Sequence, residues 1–375
     1  MLPRDRVIAA LDFRPLDVVP LRILPAVGGL YEHGQKLLDL TRACGHDFGD
    51  LSGVTLPAGP PPTDFDPDGR YHTIRTDDWG STWEYRIFGV WGHLIDWPLR
   101  GADDDGTDVG GTGVPPVDTG KMPVPPQEAS FAAKLAAYRP PPPPAAEGPD
   151  VDAARANVAT QKPRWFTLGG SGSLMEKLWS LRGFEDTLID ILHDTPAINR
   201  LADLLVEHTA AGVRRSLATD VDGVAFGDDF GTQEALLMPP KVWRRFYKPR
   251  YEALFAPIRR AGKRILFHCC GQIGDILEDF AELGVDALWP QLTVFDLPDL
   301  ARRCRDLGLA LELHPDRGEL MQRRSPAEVR DYVLRLIDLF RPTDGGSWLY
   351  VEIDPGFPYP NVEALFKAAM ELRGG

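Results

Sequence analysis

The chain has no apolar stretch near the ~20 residues a membrane-spanning helix needs, which sets aside a helical membrane protein. Basic residues are in short supply. Lys and Arg number 41 against 55 Asp and Glu, for a formal net charge of −14. A surface of that sign argues against nucleic acid or an anionic membrane as the main partner. Cysteine is scarce: Cys44, Cys269, Cys270 and Cys304 are all there are. One adjacent pair and two scattered singles do not read as a disulfide framework. The start, from Met1 to Leu11, is charged and helix-like, without the apolar core of a signal peptide. A cytoplasmic protein is therefore expected. No Gly-x-Gly-x-x-Gly follows the first apolar run, which weakens an open dinucleotide-binding sheet. The segment Gly169-Gly170-Ser171-Gly172-Ser173 lacks the Gly-Lys-Ser/Thr ending of a phosphate loop, so its small residues are read as room for a close backbone approach. No internal repeat is visible.

What remains is 43% apolar, enough for a large core. Short β-rich runs alternate with amphipathic stretches. Candidate strands are Val18–Leu24, Trp165–Leu168, Gly223–Phe226, Ile265–His268, Asp286–Trp289, Leu309–Leu313 and Trp348–Ile353. Helical spacing of apolar residues follows at Ile273–Leu283 and at Ala327–Leu339, the latter opened by a Ser325 cap and Pro326. Strand–helix alternation of this kind predicts an α/β fold with a parallel sheet, and the strand count points to a (β/α)8 TIM barrel. Residues 1–375 are read as one barrel domain interrupted by an irregular, Trp- and Pro-rich insertion at 51–160. That insertion holds four of the nine tryptophans, the run Asp103-Asp104-Asp105-Gly106, and five prolines at 140–144 read as a stiff linker. Its stretch from Asp77 to Tyr85 predicts a short hairpin whose aromatics wall a pocket or pack the excursion onto the barrel.

The most informative motif is His268-Cys269-Cys270-Gly271, at the end of a β-type run. Side chains alternate along a strand, so His268 and Cys270 point together while Cys269 points away. Imidazole plus thiolate suits zinc; a buried histidine beside two core cysteines is the structural alternative. In a barrel, catalytic groups sit at the C-terminal ends of strands. That rule also collects Asp228 and Asp229, then Glu312, His314 and Asp316, then Glu352 and Asp354. Asp228 and Asp229 alternatively hold loop amides, and His314 before Pro315 alternatively packs in its loop. Glu352 interrupts an apolar strand and must be paired or ligated if buried.

Several stretches in order resemble the uroporphyrinogen decarboxylase superfamily, closer to its corrinoid (cobalamin) methyltransferase branch than to the decarboxylases. They are Arg4–Leu11 with Pro15–Pro20, Asp78-Trp79-Gly80, Trp97-Pro98-Leu99, Leu181–Glu185, Gly227–Gln233, Phe267–Gly271, Glu282–Asp286 and Pro360–Leu365. The resemblance implies a (β/α)8 barrel and, in the zinc-dependent members, a His-x-Cys pair plus a cysteine near the C-terminus. His268 and Cys270 match the pair, but no cysteine follows Cys304. Glu352 or another carboxylate is then expected to complete the metal set. Asp228, Asp229, His314 and Glu352 are the expected catalytic groups, with Arg22, Trp79 and Gln233 as substrate contacts. The expected reaction moves a methyl group between a corrinoid, carried on a separate small protein, and an acceptor. A small-molecule substrate and a homodimer go with that reading. The alternative is a metal-independent decarboxylase in which Asp228 or Asp229 stabilises a cation and Arg22 holds a carboxylate.

Overall fold

The structure, a computed structural model, describes residues 1–100 and 128–374. The acidic run at 103–105 lies outside the described residues. Ten strands are described: β1 (Leu21–Leu24), β2 (Thr73–Thr76), β3 (Thr82–Tyr85), β4 (His93–Asp96), β5 (Leu168–Gly170), β6 (Gly223–Gly227), β7 (Arg264–Cys269), β8 (Ala287–Pro290), β9 (Ala310–Leu313) and β10 (Ser347–Glu352). Seven form a curled parallel sheet in the order β1-β10-β9-β8-β7-β6-β5. All seven expected strand regions are in it.

The two edges of this open sheet, β1 and β5, are linked through a segment too short to be a strand. The Asp47 amide donates to the Leu21 carbonyl at 2.8 Å, and the Phe166 amide to the Asp47 carbonyl at 3.0 Å. Phe48 forms a parallel bridge with Phe166. The wholly buried Asp47 carboxylate is neutralised by Arg6 and Arg373 and accepts the Leu21 amide at 2.8 Å, which fixes the segment in place. This is the distorted (β/α)8 barrel, with a rudimentary eighth position at Asp47-Phe48.

Alternation along each strand divides the core. Ile265, Phe267, Cys269, Leu288, Leu311 and Leu313 belong to the large apolar core shared with the helices. Leu266, Ala287, Ala310 and Trp348 join Phe48 and Phe166 in a separate apolar layer. On the same parity, further along the strands, come His268, Trp289, Glu312 and Tyr350. The expected helix after Ser325 is Pro326–Phe340, opened by a full capping box with Glu328.

The insertion is more regular than expected. β2, β3 and β4 form an antiparallel sheet. Its first turn is held by Asp77, whose Oδ1 accepts the amides of Trp79 at 3.0 Å and Ser81 at 2.9 Å. Helices follow at Glu128–Ala137 and Pro149–Gln161. Pro149 at the helix start, after Gly148, and Asp150 and Asp152 in the first turn supply the start signals. The prolines at 140–144 have no regular structure. No helix among the described residues is long and apolar enough to cross a membrane.

Candidate metal and substrate site

β6, β7 and β8 deliver the site. In the ladder, His268 lies between Gly227 and Trp289. Beyond the strand ends, the loops after β6 and β7 run against each other: the Gly231 amide donates to the Cys270 carbonyl at 3.3 Å and the Gln272 amide to the Thr232 carbonyl at 2.7 Å. Their backbones touch at Gly231 and Gly271, where any Cβ would collide with the other chain segment; Gly271 also sits at φ +83°. This close approach brings Asp229 to the His-x-Cys motif.

Asp229, His268 and Cys270 each offer a donor atom, and the three lie within 4.8 Å of one another. His268 Nε2 is 3.4 Å from Cys270 Sγ and 3.5 Å from Asp229 Oδ1. The Cys270 amide donates to Asp229 Oδ1 at 2.7 Å. His268 Nδ1 is 3.0 Å from the Trp289 carbonyl, which can only accept, so Nδ1 carries the ring proton. The Nε2 lone pair is thereby turned toward the thiol and carboxylate. Burial lowers the His268 pKa and keeps the ring neutral, while burial and then Asp229 push the Cys270 thiol up to about 12. Cys269 is wholly buried in the outer core.

Three electron-rich donors of these types match the nitrogen–sulfur–oxygen set of a borderline-soft divalent cation such as zinc, with a position left for a ligand. The fixed tautomer of His268 is the outer-sphere arrangement that metal-ligating histidines use. The residues present therefore fit a metal.

The other expected residues sort differently. Glu352, expected to complete the metal set, is outside this cluster, whose carboxylate is Asp229. The Glu352 carboxylate accepts from Tyr350 Oη at 3.1 Å and pairs with Arg317 Nη1 at 3.3 Å, and Arg317 also binds Asp354. Arg317 was missed because an arginine in a loop carries no spacing signal. Asp228 is wholly buried and accepts the amides of Leu174 at 2.7 Å and Glu176 at 2.9 Å, as well as the Tyr251 hydroxyl. Burial pushes its carboxyl up to about 6 against those hydrogen bonds. It anchors the helix after β5. Arg22 pairs with the buried Glu312 at 2.6 Å and packs against the rings of Phe48 and Tyr350. Both its charge and its planar faces are engaged inside the barrel.

A cleft of about 480 Å³ opens beside the cluster, lined by His268, Cys270, Gln233, Trp289, His314 and Arg317 among others. Gln233 and Gln291 exchange amide hydrogen bonds of 3.0 and 3.1 Å, and Gln291 Oε1 also accepts the Gly271 amide. The Trp289 indole donates to His314 Nδ1 at 3.2 Å, so the proton of neutral His314 sits on Nε2. Burial holds the His314 pKa well below its usual value. Trp79 lines neither this cleft nor its neighbour: it packs on His208 at 4.6 Å, under Lys177, and fastens the insertion to the barrel. A second cavity of about 670 Å³ is instead walled by Trp83, Trp91 and Trp179, with Glu176 and Gly227.

Residues 110–372 match the family model for uroporphyrinogen decarboxylase (URO-D). The chain belongs to the URO-D family. Among curated proteins none matches the sequence. The URO-D chain is similar in fold to a methyltransferase from Methanosarcina mazei, with 14% identity, a TM-score of 0.59, and coverage of 100% of this chain and 99% of that one. A dihydropteroate synthase from Xanthomonas albilineans (14% identity, 52% of this chain and 64% of that one) has a TM-score of 0.34. An endo-β-1,4-xylanase from Gloeophyllum trabeum (12% identity, 58% and 79%) has one of 0.37. Those two scores are too low to bear on the URO-D chain's activity or fold.

Proposed function

We propose that this URO-D family member is a metal-assisted methyltransferase, moving a methyl group between a corrinoid or methylated substrate and an acceptor. The observation that carries the reading is the convergence of Asp229, His268 and Cys270 within 4.8 Å at the barrel mouth. A zinc ion held there would supply Lewis acidity toward an incoming nucleophile at neutral pH. The chain's own residues do the rest. Trp289 holds His268 in the tautomer that presents Nε2, and Asp229 is braced by the Cys270 amide. The Gln233–Gln291 pair and Arg317 border the open cleft in which the acceptor would sit. A separate small corrinoid protein serves as methyl carrier in this reading. The similarity in fold to a methyltransferase supports it as well.

The decarboxylase reading has less behind it. Arg22 is paired with Glu312, and Asp228 already accepts from two amides and a hydroxyl, which leaves Asp229 as the carboxylate that reading would use. The test is methyl transfer from methylcobalamin to a small thiol, followed by the loss of the methylcobalamin spectrum. The reaction should require zinc and stop on chelation. Transfer at an undiminished rate in chelator would overturn the proposal.

A further inference from the structure

The cavity of about 670 Å³ beside the metal-donor cluster has an unusual lining. Trp83 and Trp91 come from the insertion and its sheet, Trp179 from the helix Met175–Arg182 after β5. The rings of Trp83 and Trp179 meet edge to face at 6.1 Å, and those of Trp83 and Trp91 are tilted by 52° at 6.0 Å. Three indoles thus present faces and edges at steep mutual angles. Glu176, three residues before Trp179, shares its helix face. Its carboxylate has no hydrogen-bond or ion-pair partner among the described residues; only its amide is bonded, to Asp228. Lys177 also lines the cavity and acts electrostatically on Glu176, but its ammonium is 3.8 Å from Asp77 and lies over the Trp79 ring.

We infer that this cavity binds the methylated cationic head of a quaternary ammonium compound, with Trp83, Trp91 and Trp179 against its methyl groups and Glu176 as counter-charge. Indole faces attract a cation through their quadrupole, most strongly where water is excluded. A bound cation would offset the charge of an ionised Glu176 beside Asp228 and Asp229, which a neutral aromatic ligand would not do. A quaternary ammonium has no N–H to satisfy, so its methyl groups can lie against all three indoles while Glu176 faces the charge. Burial, then Asp228 and Asp229, push the Glu176 carboxyl up to about 8, so it is protonated at neutral pH and a bound cation would favour its ionised form. Gly227, which lines this cavity, pairs in the ladder with His268, so the cavity adjoins the metal-donor cluster.

The inference deepens the methyl-transfer reading by naming a donor class, and rests on that reading only for the fate of the ligand. In transfer, one C–N bond breaks with its electron pair staying on nitrogen. A neutral tertiary amine leaves, and the methyl passes to a thiolate or a reduced corrinoid. Binding itself requires none of this.

The test is calorimetric titration of the full chain with choline and with 3,3-dimethyl-1-butanol, its neutral isostere. Choline should bind at least about tenfold tighter, a cation–π and charge effect. Glu176→Gln should shrink that preference severalfold, leaving the part due to the indoles. Trp91→Ala, at a residue 84% exposed whose loss leaves the core intact, should weaken choline severalfold while the fold, followed by circular dichroism, is unchanged. His268→Ala should keep choline binding, so that failure of the metal reading leaves this one standing. Equal affinity for the two probes, or no saturable choline binding by the wild type, would overturn the inference.

Discussion

Gly231 and Gly271 cross with their backbones in contact, and this crossing sets Asp229 beside the His-x-Cys strand end. Neither position has room for a Cβ, and Gly271 adds a left-handed φ. Gly271→Ala is expected to destabilise the protein by roughly 1–3 kcal/mol, combining strain with the collision. Chemical denaturation measures this, and metal content should fall with stability because the loop pair that positions two donors is pried apart.

The adjacent aspartates should separate cleanly. Asp228→Ala strands two amides and the Tyr251 hydroxyl in the core and is expected to cost about 2–3 kcal/mol or more of stability. Asp229 is partly exposed, and Asp229→Asn keeps an oxygen for the Cys270 amide, so it should leave the melting temperature nearly unchanged. Thermal melts of the two variants decide it, and similar destabilisation by both would contradict the division of roles.

Arg22 is structural in this account. Arg22→Ala leaves Glu312, only 2% exposed, without its cation, and one Glu312 oxygen has no partner even in the intact protein. A loss of roughly 3–5 kcal/mol is expected on denaturant unfolding. A fully stable Arg22→Ala protein would free Arg22 for the substrate role.

Stability should fall with rising pH because of Glu176. Its carboxyl is raised to about 8 in the fold, from the ordinary value of 4.5. Between those values the folded chain holds a proton that the unfolded chain has released, so stability is greatest below about 4.5 and is lost as pH climbs to about 8. Glu176→Gln removes this contribution. Its melting temperature should therefore gain on the wild type progressively over that interval, and a constant difference across it would contradict the assignment.

The barrel was legible because strand–helix alternation is a periodic signal, and every expected strand region joined the sheet. Its closure was not, since Asp47-Phe48 contributes a bridge rather than a run that sequence could register. The His268/Cys270 pairing followed from strand alternation alone. The third member of the cluster did not: Glu352 stood out because it interrupts an apolar strand, and there Tyr350 and Arg317 bind it. Asp229 was recognised as a site residue without its role, because its distance to Cys270 depends on two glycines in different loops. Glu176 and Trp179 went unnoticed although their i,i+3 spacing places them on one face of the helix that follows the Gly-rich loop. No sequence cue set Trp83 and Trp91, which line the second cavity, apart from Trp79, which packs on His208.

The most direct test of the central claim is metal stoichiometry measured on purified protein by elemental analysis. The wild type is expected to hold about one zinc or other divalent ion per chain. Asp229→Asn, His268→Ala and Cys270→Ala should each lower metal affinity at least about tenfold, while Glu352→Gln keeps it. A metal-free wild type, or a full metal complement in His268→Ala and Cys270→Ala, would contradict the account.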